Sequence, residues 1–130
     1  RRCPSNTTSE RSALNGSKIS SMASVKGNVS FCKCNIISDE IQKSDLICSA
    51  DVLEHFPVME IDNIIGKLNK AGRYNFHVIA CYDDGHSHLS IFEPDEWLEK
   101  FQKSDLNYKL KKVYHRKNKR KRKICVIGNF

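Results

Sequence analysis

Two strand-like apolar runs stand either side of one helix-like segment, and this spacing limits the fold more than any other feature of the chain. The first run is "DLICSA" (45–50), short and apolar in the manner of a buried strand. The second is "RYNFHVIACY" (73–82), apolar and partly β-branched. Between them Val58, Ile61, Ile64, Ile65 and Leu68 recur at helical spacing. Pro57 suits the first turn of that helix, and Gly72 is a natural stop. Strands joined through one helix are usually parallel neighbours, so their carboxyl ends are expected side by side.

The remaining segments extend the same pattern. "NVSFCKCNII" (28–37) reads as a strand and "SDEIQKS" as a polar connection. "DDGHSHLSIF" reads as a loop. "EPDEWLEKFQKS" (93–104) has Pro94 near its start, acids in its first turn, and Trp97, Leu98 and Phe101 on one side, which predicts a second helix. "LNYKLKKVYHR" and "RKICVIGNF" alternate as two strands joined by "KNKRK", a closing antiparallel hairpin. The fold class expected is therefore α/β, a parallel sheet flanked by helices with an antiparallel end. Residues 1–27 are polar and Ser-rich, and Asn15-Gly16 interrupts any helix there.

A length of 130 residues suits one compact domain. No apolar run approaches the roughly 20 residues that span a bilayer, and "RRCPSNTTSERS" lacks the apolar core of a signal peptide. The chain opens on Arg1 rather than Met, and the expectation is an excised or incomplete piece. Of six cysteines, Cys32, Cys34, Cys48, Cys81 and Cys125 sit in apolar runs, and no C-x-x-C pair occurs. Reduced thiols and a cytoplasmic or nuclear setting are expected, without a structural zinc site.

The net charge of +7 is concentrated in one place. Residues 109–123, "KLKKVYHRKNKRKRK", hold ten Lys or Arg and no acid; the rest of the chain has 12 basic against 15 acidic residues, a net of −3. The run reads as a solvated hairpin tip able to take an RNA or another polyanion, or to act as a nuclear import signal over 116–123. No aromatic residue interleaves the tip, which argues against base stacking.

Both helix-linked strands end in polar clusters: Asp51, Glu54 and His55 after the first, and Asp83, Asp84, His86 and His88 after the second. Ligands of open α/β sheets bind outside the carboxyl ends of strands, so a site is expected there. Asp51 and Glu54 also suit capping of the next helix. His86 and His88 point the same way if their segment is extended. His77, inside a strand, reads as a core or sheet-face histidine, and Trp97 as packing for its helix.

"DLICSADVLEHFP" resembles the fourth-strand motif of class I S-adenosylmethionine-dependent methyltransferases, and the later segments follow in that family's order. "IIGKLNKAGRYNFHVIA" resembles the next helix and fifth strand, "HSHLSIFEPDEWLEKF" the following loop and helix, and the basic hairpin the last two strands. The resemblance covers residues 28–130 and implies a Rossmann-like methyltransferase sheet, incomplete at its N-terminal side, with strand seven antiparallel. The first strand and its G-x-G loop are not present in the chain.

The resemblance implies methyl transfer from S-adenosylmethionine to an oxygen or nitrogen acceptor. Asn35, Ser49, Ala50 and Asp51 would meet the cofactor, and Asp51, His55 or His88 would take the acceptor's proton. Small-RNA 3′-terminal 2′-O-methyltransferases place an acid, then Glu-His, then a further His in similar register. That likeness implies a divalent metal on Asp51, Glu54, His55 and His88. The other function class is a non-catalytic, methyltransferase-derived nucleic-acid-binding or regulatory module. A half-sheet would leave an open strand edge, which predicts a homo-oligomer.

Overall fold

A computed structural model describes residues 28–130, which fall into two units, 28–42 and Lys43–Phe130. The polar segment 1–27 lies outside the described residues. Among the described residues, no helix is long and apolar enough to cross a membrane.

In the shorter unit the strand expected over 28–37 does not form; residues 36–38 are a turn. Polar side chains favour that turn. The Ile37 N–H donates to Asn35 Oδ1 (3.0 Å), and the Asn35 N–H donates to Asp39 Oδ2 (2.9 Å). Such local bonds offer the backbone an alternative to a sheet ladder. The expectation of reduced thiols also needs correcting: Cys34, Cys48, Cys81 and Cys125 are free, but Cys32 is disulfide-bonded.

The larger unit is α/β. Its elements are β1 (Ser44–Ala50), α1 (Val58–Ala71), β2 (Gly72–Ala80), α2 (Pro94–Gln102), β3 (Lys109–His115) and β4 (Lys123–Gly128). Four strands form one mixed sheet in the order β1-β2-β4-β3. β1 and β2 are parallel, and β4 runs antiparallel to both β2 and β3. The last strand is thus inserted between its hairpin partner and β2, where Ile124, Cys125 and Ile127 are fully buried.

α1 buries the apolar stripe that the spacing picks out: Ile61, Ile64, Ile65, Leu68 and Ala71. Gly72 ends the helix not by a left-handed turn but by passing straight into β2, with φ −107°. A Cβ there would lie 3.0 Å from the side chains of Asn75 and Ile47, which would have to shift slightly to admit it. α2 buries Pro94, Trp97 and Phe101, and Phe101 stacks on His77 of β2 with ring centroids 5.4 Å apart. That contact fixes which face of the sheet α2 covers. Trp97 is fully buried against Phe92, at 5.0 Å, so it packs the core.

β1 is not the buried strand that its apolar sequence suggests. Among the described residues it is an edge strand, and Leu46, Cys48 and Ala50 are exposed. The opposite edge, β3, is also exposed but carries lysines, a common protection against edge-to-edge pairing.

One polar column crosses the sheet interior. Ser49 Oγ lies 2.8 Å from His77 Nδ1, and His77 Nε2 lies 3.3 Å from Asn75 Oδ1. Asn75 Oδ1 can only accept, so Nε2 carries the hydrogen and Nδ1 accepts from Ser49. The neutral imidazole is thereby satisfied, and burial pushes its pKa down from 6.5 to about 4.

This has a consequence for stability. The unfolded chain binds the proton near pH 6.5, the folded one only near 4, so stability held above 6.5 is lost as pH falls through that window. Glu54 acts in the opposite sense, because burial raises its carboxyl pKa. A His77→Gln variant separates the two. Between pH 7 and 4.5 the wild type should lose about 2.5 kcal/mol more than the variant in urea unfolding. Parallel pH profiles would refute the role of His77.

Candidate functional site

The carboxyl ends of β1 and β2 lie side by side because the strands are parallel neighbours, with Ala50 opposite Val78. β1 exits through Asp51, whose N–H still donates to the Val78 carbonyl (3.1 Å). Asp51 takes φ 54°, a left-handed conformation that Asp tolerates better than most residues. The backbone then turns through a short 3₁₀ segment, Leu53–His55, before α1. Leu53 and Glu54 turn inward and His55 stays exposed.

Glu54 is fully buried. Its Oε1 accepts the Ala80 N–H at 3.3 Å, while Oε2 has no hydrogen-bond partner. Its backbone carbonyl accepts the N–H groups of Leu89 (2.8 Å) and Ser90 (3.0 Å), and the Ser90 hydroxyl donates to the Phe56 carbonyl (2.6 Å). These bonds dock the histidine loop onto the Leu53–His55 turn. Loss of hydration pushes the Glu54 carboxyl pKa up; the backbone hydrogen bonds only partly oppose it.

The loop between β2 and α2 is organised around Asp84. Its Oδ1 accepts the N–H groups of His86, Ser87 and His88 at 3.1, 2.8 and 2.9 Å, and its Oδ2 accepts the Ser87 hydroxyl. Partial withdrawal from water works against the anion, but these donors hold the carboxyl well below the usual carboxylate range. His86 and His88 are not on an extended segment. Both turn toward Asp84 Oδ2, His86 Nδ1 at 2.8 Å and His88 Nε2 at 3.7 Å, and His86 stays exposed.

His55 and His88 meet edge to face, 4.9 Å between ring centroids. His55 Nδ1 lies 3.0 Å from the Ser87 carbonyl, and His88 Nδ1 is bonded to the Tyr82 carbonyl. Carbonyls only accept, so both Nδ1 atoms carry the hydrogen of these bonds. One ligand atom from each of Glu54, His55 and His88 lies within 4.8 Å of the others. A histidine whose far nitrogen donates to a carbonyl is oriented as metal-binding histidines are.

Asp51 stands apart from this trio. Arg116 Nη2 lies 2.6 and 2.7 Å from its two carboxylate oxygens, and Arg116 Nη1 lies 3.4 Å from the Tyr82 hydroxyl. Asp51 does not cap α1, whose N-cap is Pro57. Of the other residues expected at the cofactor, Ser49 is engaged with His77 and Ala50 is exposed. Asn35 belongs to the 28–42 unit, where its carboxamide oxygen already accepts from Ile37.

Arg116 and Tyr82 carry no signal in the sequence that ties them to the site. Arg116 is 65 residues from Asp51, and only the sheet order brings them together. A cavity of about 610 Å³ lies at the opposite end of the sheet, among Lys43, Asp45, Lys70, Arg73, Asp105 and Asn129. It mixes both signs of charge and includes none of the trio.

No protein-family model matches this sequence, and no curated protein matches it.

Replacing Asp84 by Ala removes the acceptor for three loop N–H groups and one hydroxyl. The amides of His86, Ser87 and His88 should then exchange with solvent about tenfold faster or more, while those of β4 keep their protection. Unchanged exchange in the loop would show that Asp84 does not hold it.

Proposed function

We propose that this chain is the C-terminal portion of a Rossmann-like, class I S-adenosylmethionine-dependent methyltransferase domain acting on an oxygen or nitrogen acceptor. The observation that carries the reading is the meeting of the D-V-L-E-H segment with the histidine loop. Glu54 and His55, from the exit of β1, share one site with His88, from the exit of β2. The antiparallel last strand, placed between β2 and β3, supports the same reading.

When bound, the cofactor supplies an electrophilic methyl group on sulfur. By the resemblance, the residues at the end of β1 would line one side of its pocket, and the sequence has no G-x-G for the other. The chain's own contribution is to position the acceptor and take its proton as the methyl–sulfur bond breaks and the methyl–acceptor bond forms. His55 suits the proton transfer best, being exposed and held through Nδ1 by the Ser87 carbonyl, which leaves Nε2 facing away from that bond. His88 is more enclosed, and the Asp51 carboxylate is occupied by Arg116.

A divalent metal on Glu54, His55 and His88 is the alternative use of the same atoms, because a His55 Nε2 given to an ion does not take a proton. The buried, unpartnered Oε2 of Glu54 and the two oriented imidazoles fit such an ion. It would lower the pKa of an acceptor hydroxyl. Asp51 is not among the grouped ligands, so the set is three protein groups rather than four.

Calorimetric titration with S-adenosylmethionine tests the core of this reading: saturable heat is expected, and none at high micromolar cofactor refutes it for this chain. With an acceptor in hand, His55→Ala should slow turnover about 10²- to 10⁴-fold. For the metal, Mn²⁺ or Zn²⁺ should raise the melting temperature of the wild type and not of His88→Ala. A rate unchanged by EDTA would exclude the ion from the reaction.

A further inference from the structure

The hairpin between β3 and β4 is built unlike the rest of the surface. Two of its cations are anchored at its base: Arg116 on Asp51, and Lys123 on Glu93 at 2.6 Å. Among the described residues Lys117, Lys119, Arg120, Lys121 and Arg122, which lie between them, make no ion pair, and all but the half-buried Arg122 are exposed. Five like charges within six residues repel one another and disfavour the compact turn. The turn is also strained, because Lys117 is held at φ 52°, beside Asn118 at φ 54°. A fold that keeps both costs at an exposed tip points to a partner that offsets them.

The position of the tip matters as much as its charge. The Cys81 N–H, just past β2, donates to the Lys123 carbonyl (2.8 Å), and Arg116 reaches Asp51 and Tyr82. The tip therefore rises from the same end of the sheet as Glu54, His55 and His88.

The chemistry of the tip selects among anionic partners. Residues 116–123 contain no apolar or aromatic side chain, so nothing can insert into a bilayer or form the dry centre of a protein interface. What remains is a dense array of guanidinium and ammonium donors, suited to phosphate oxygens along a chain. We infer that the β3–β4 tip binds the phosphodiester backbone of a nucleic acid and holds it beside the Glu54–His55–His88 site. The binding stands without the methyl-transfer reading; only the use of the held chain as acceptor rests on it.

The test uses the full chain and a fluorescein-labelled 20-nucleotide oligouridylate, with anisotropy read over a series of NaCl concentrations. Binding that weakens linearly in log–log form is expected. Lys119→Gln/Arg120→Gln/Lys121→Gln should reduce the slope by about 2, since each lost phosphate contact on a single strand contributes about 0.7. Failure of the wild type to bind at 50 mM NaCl, or an unchanged slope in the triple variant, overturns the inference. So does tip-dependent binding to phosphatidylserine vesicles without binding to the oligonucleotide. The wild type is also titrated with S-adenosylmethionine. Cofactor heat without oligonucleotide binding sinks this inference alone, and the reverse result sinks the enzyme reading alone.

Discussion

Glu54 is the residue on which the site end of this fold depends. Its side chain takes the Ala80 N–H at the end of β2, and its carbonyl takes the N–H groups of Leu89 and Ser90. One residue after β1 thus binds the exit of β2 and the start of the α2 approach. The parallel β1–β2 pairing puts the two exits side by side; Glu54 fixes their spacing. His55 and His88 inherit their meeting from this, because each lies on a segment that Glu54 ties down. The arrangement is held at the expense of a buried carboxyl whose anion is disfavoured and whose Oε2 is unpartnered.

The elements that were legible in the sequence are those whose signal is local and periodic. α1 could be read because Ile61, Ile64, Ile65 and Leu68 mark one helical face, and that face is the one buried. The hairpin could be read from alternation either side of a basic turn. The run at 28–37 could not, because its apolar residues give no hint that Asn35 and Asp39 bond to the local backbone and favour a turn. The exposure of β1 was hidden for another reason. An apolar strand is buried or exposed according to its place in the sheet, and sheet order is set by pairings distant in sequence.

The candidate site divides along the same line. That Glu54, His55 and His88 converge follows from strand adjacency, which the β–α–β order already implies. That Asp51 leaves them does not. Asp51 is separated from Arg116 by the whole of α1, β2, α2 and β3, and they meet only because β4 is inserted beside β2 and returns the hairpin to that end. The role of Asp84 was hidden more simply. Its neighbours His86 and His88 look like the functional pair, yet the carboxylate between β2 and those histidines shapes the loop, and His86 is left at the surface.

Charge placement links the two halves of this surface. Arg116 neutralises Asp51 without entering the Glu54–His55–His88 group, so that group keeps one carboxyl and two imidazoles. An uncompensated anion in this buried position is unfavourable, and the unpartnered oxygen has three ways to be satisfied: a proton, a cation, or a hydrogen-bond donor from a bound molecule. Each makes Glu54 responsive to what occupies the site. The hairpin tip is the converse case, five cations held together with no anion among the described residues paired to them. A buried acid lacking a donor and an exposed basic array lacking acids stand at one end of the same sheet. Both are left incomplete by the fold, and in physical terms that is what separates this end from the mixed-charge surface at the other.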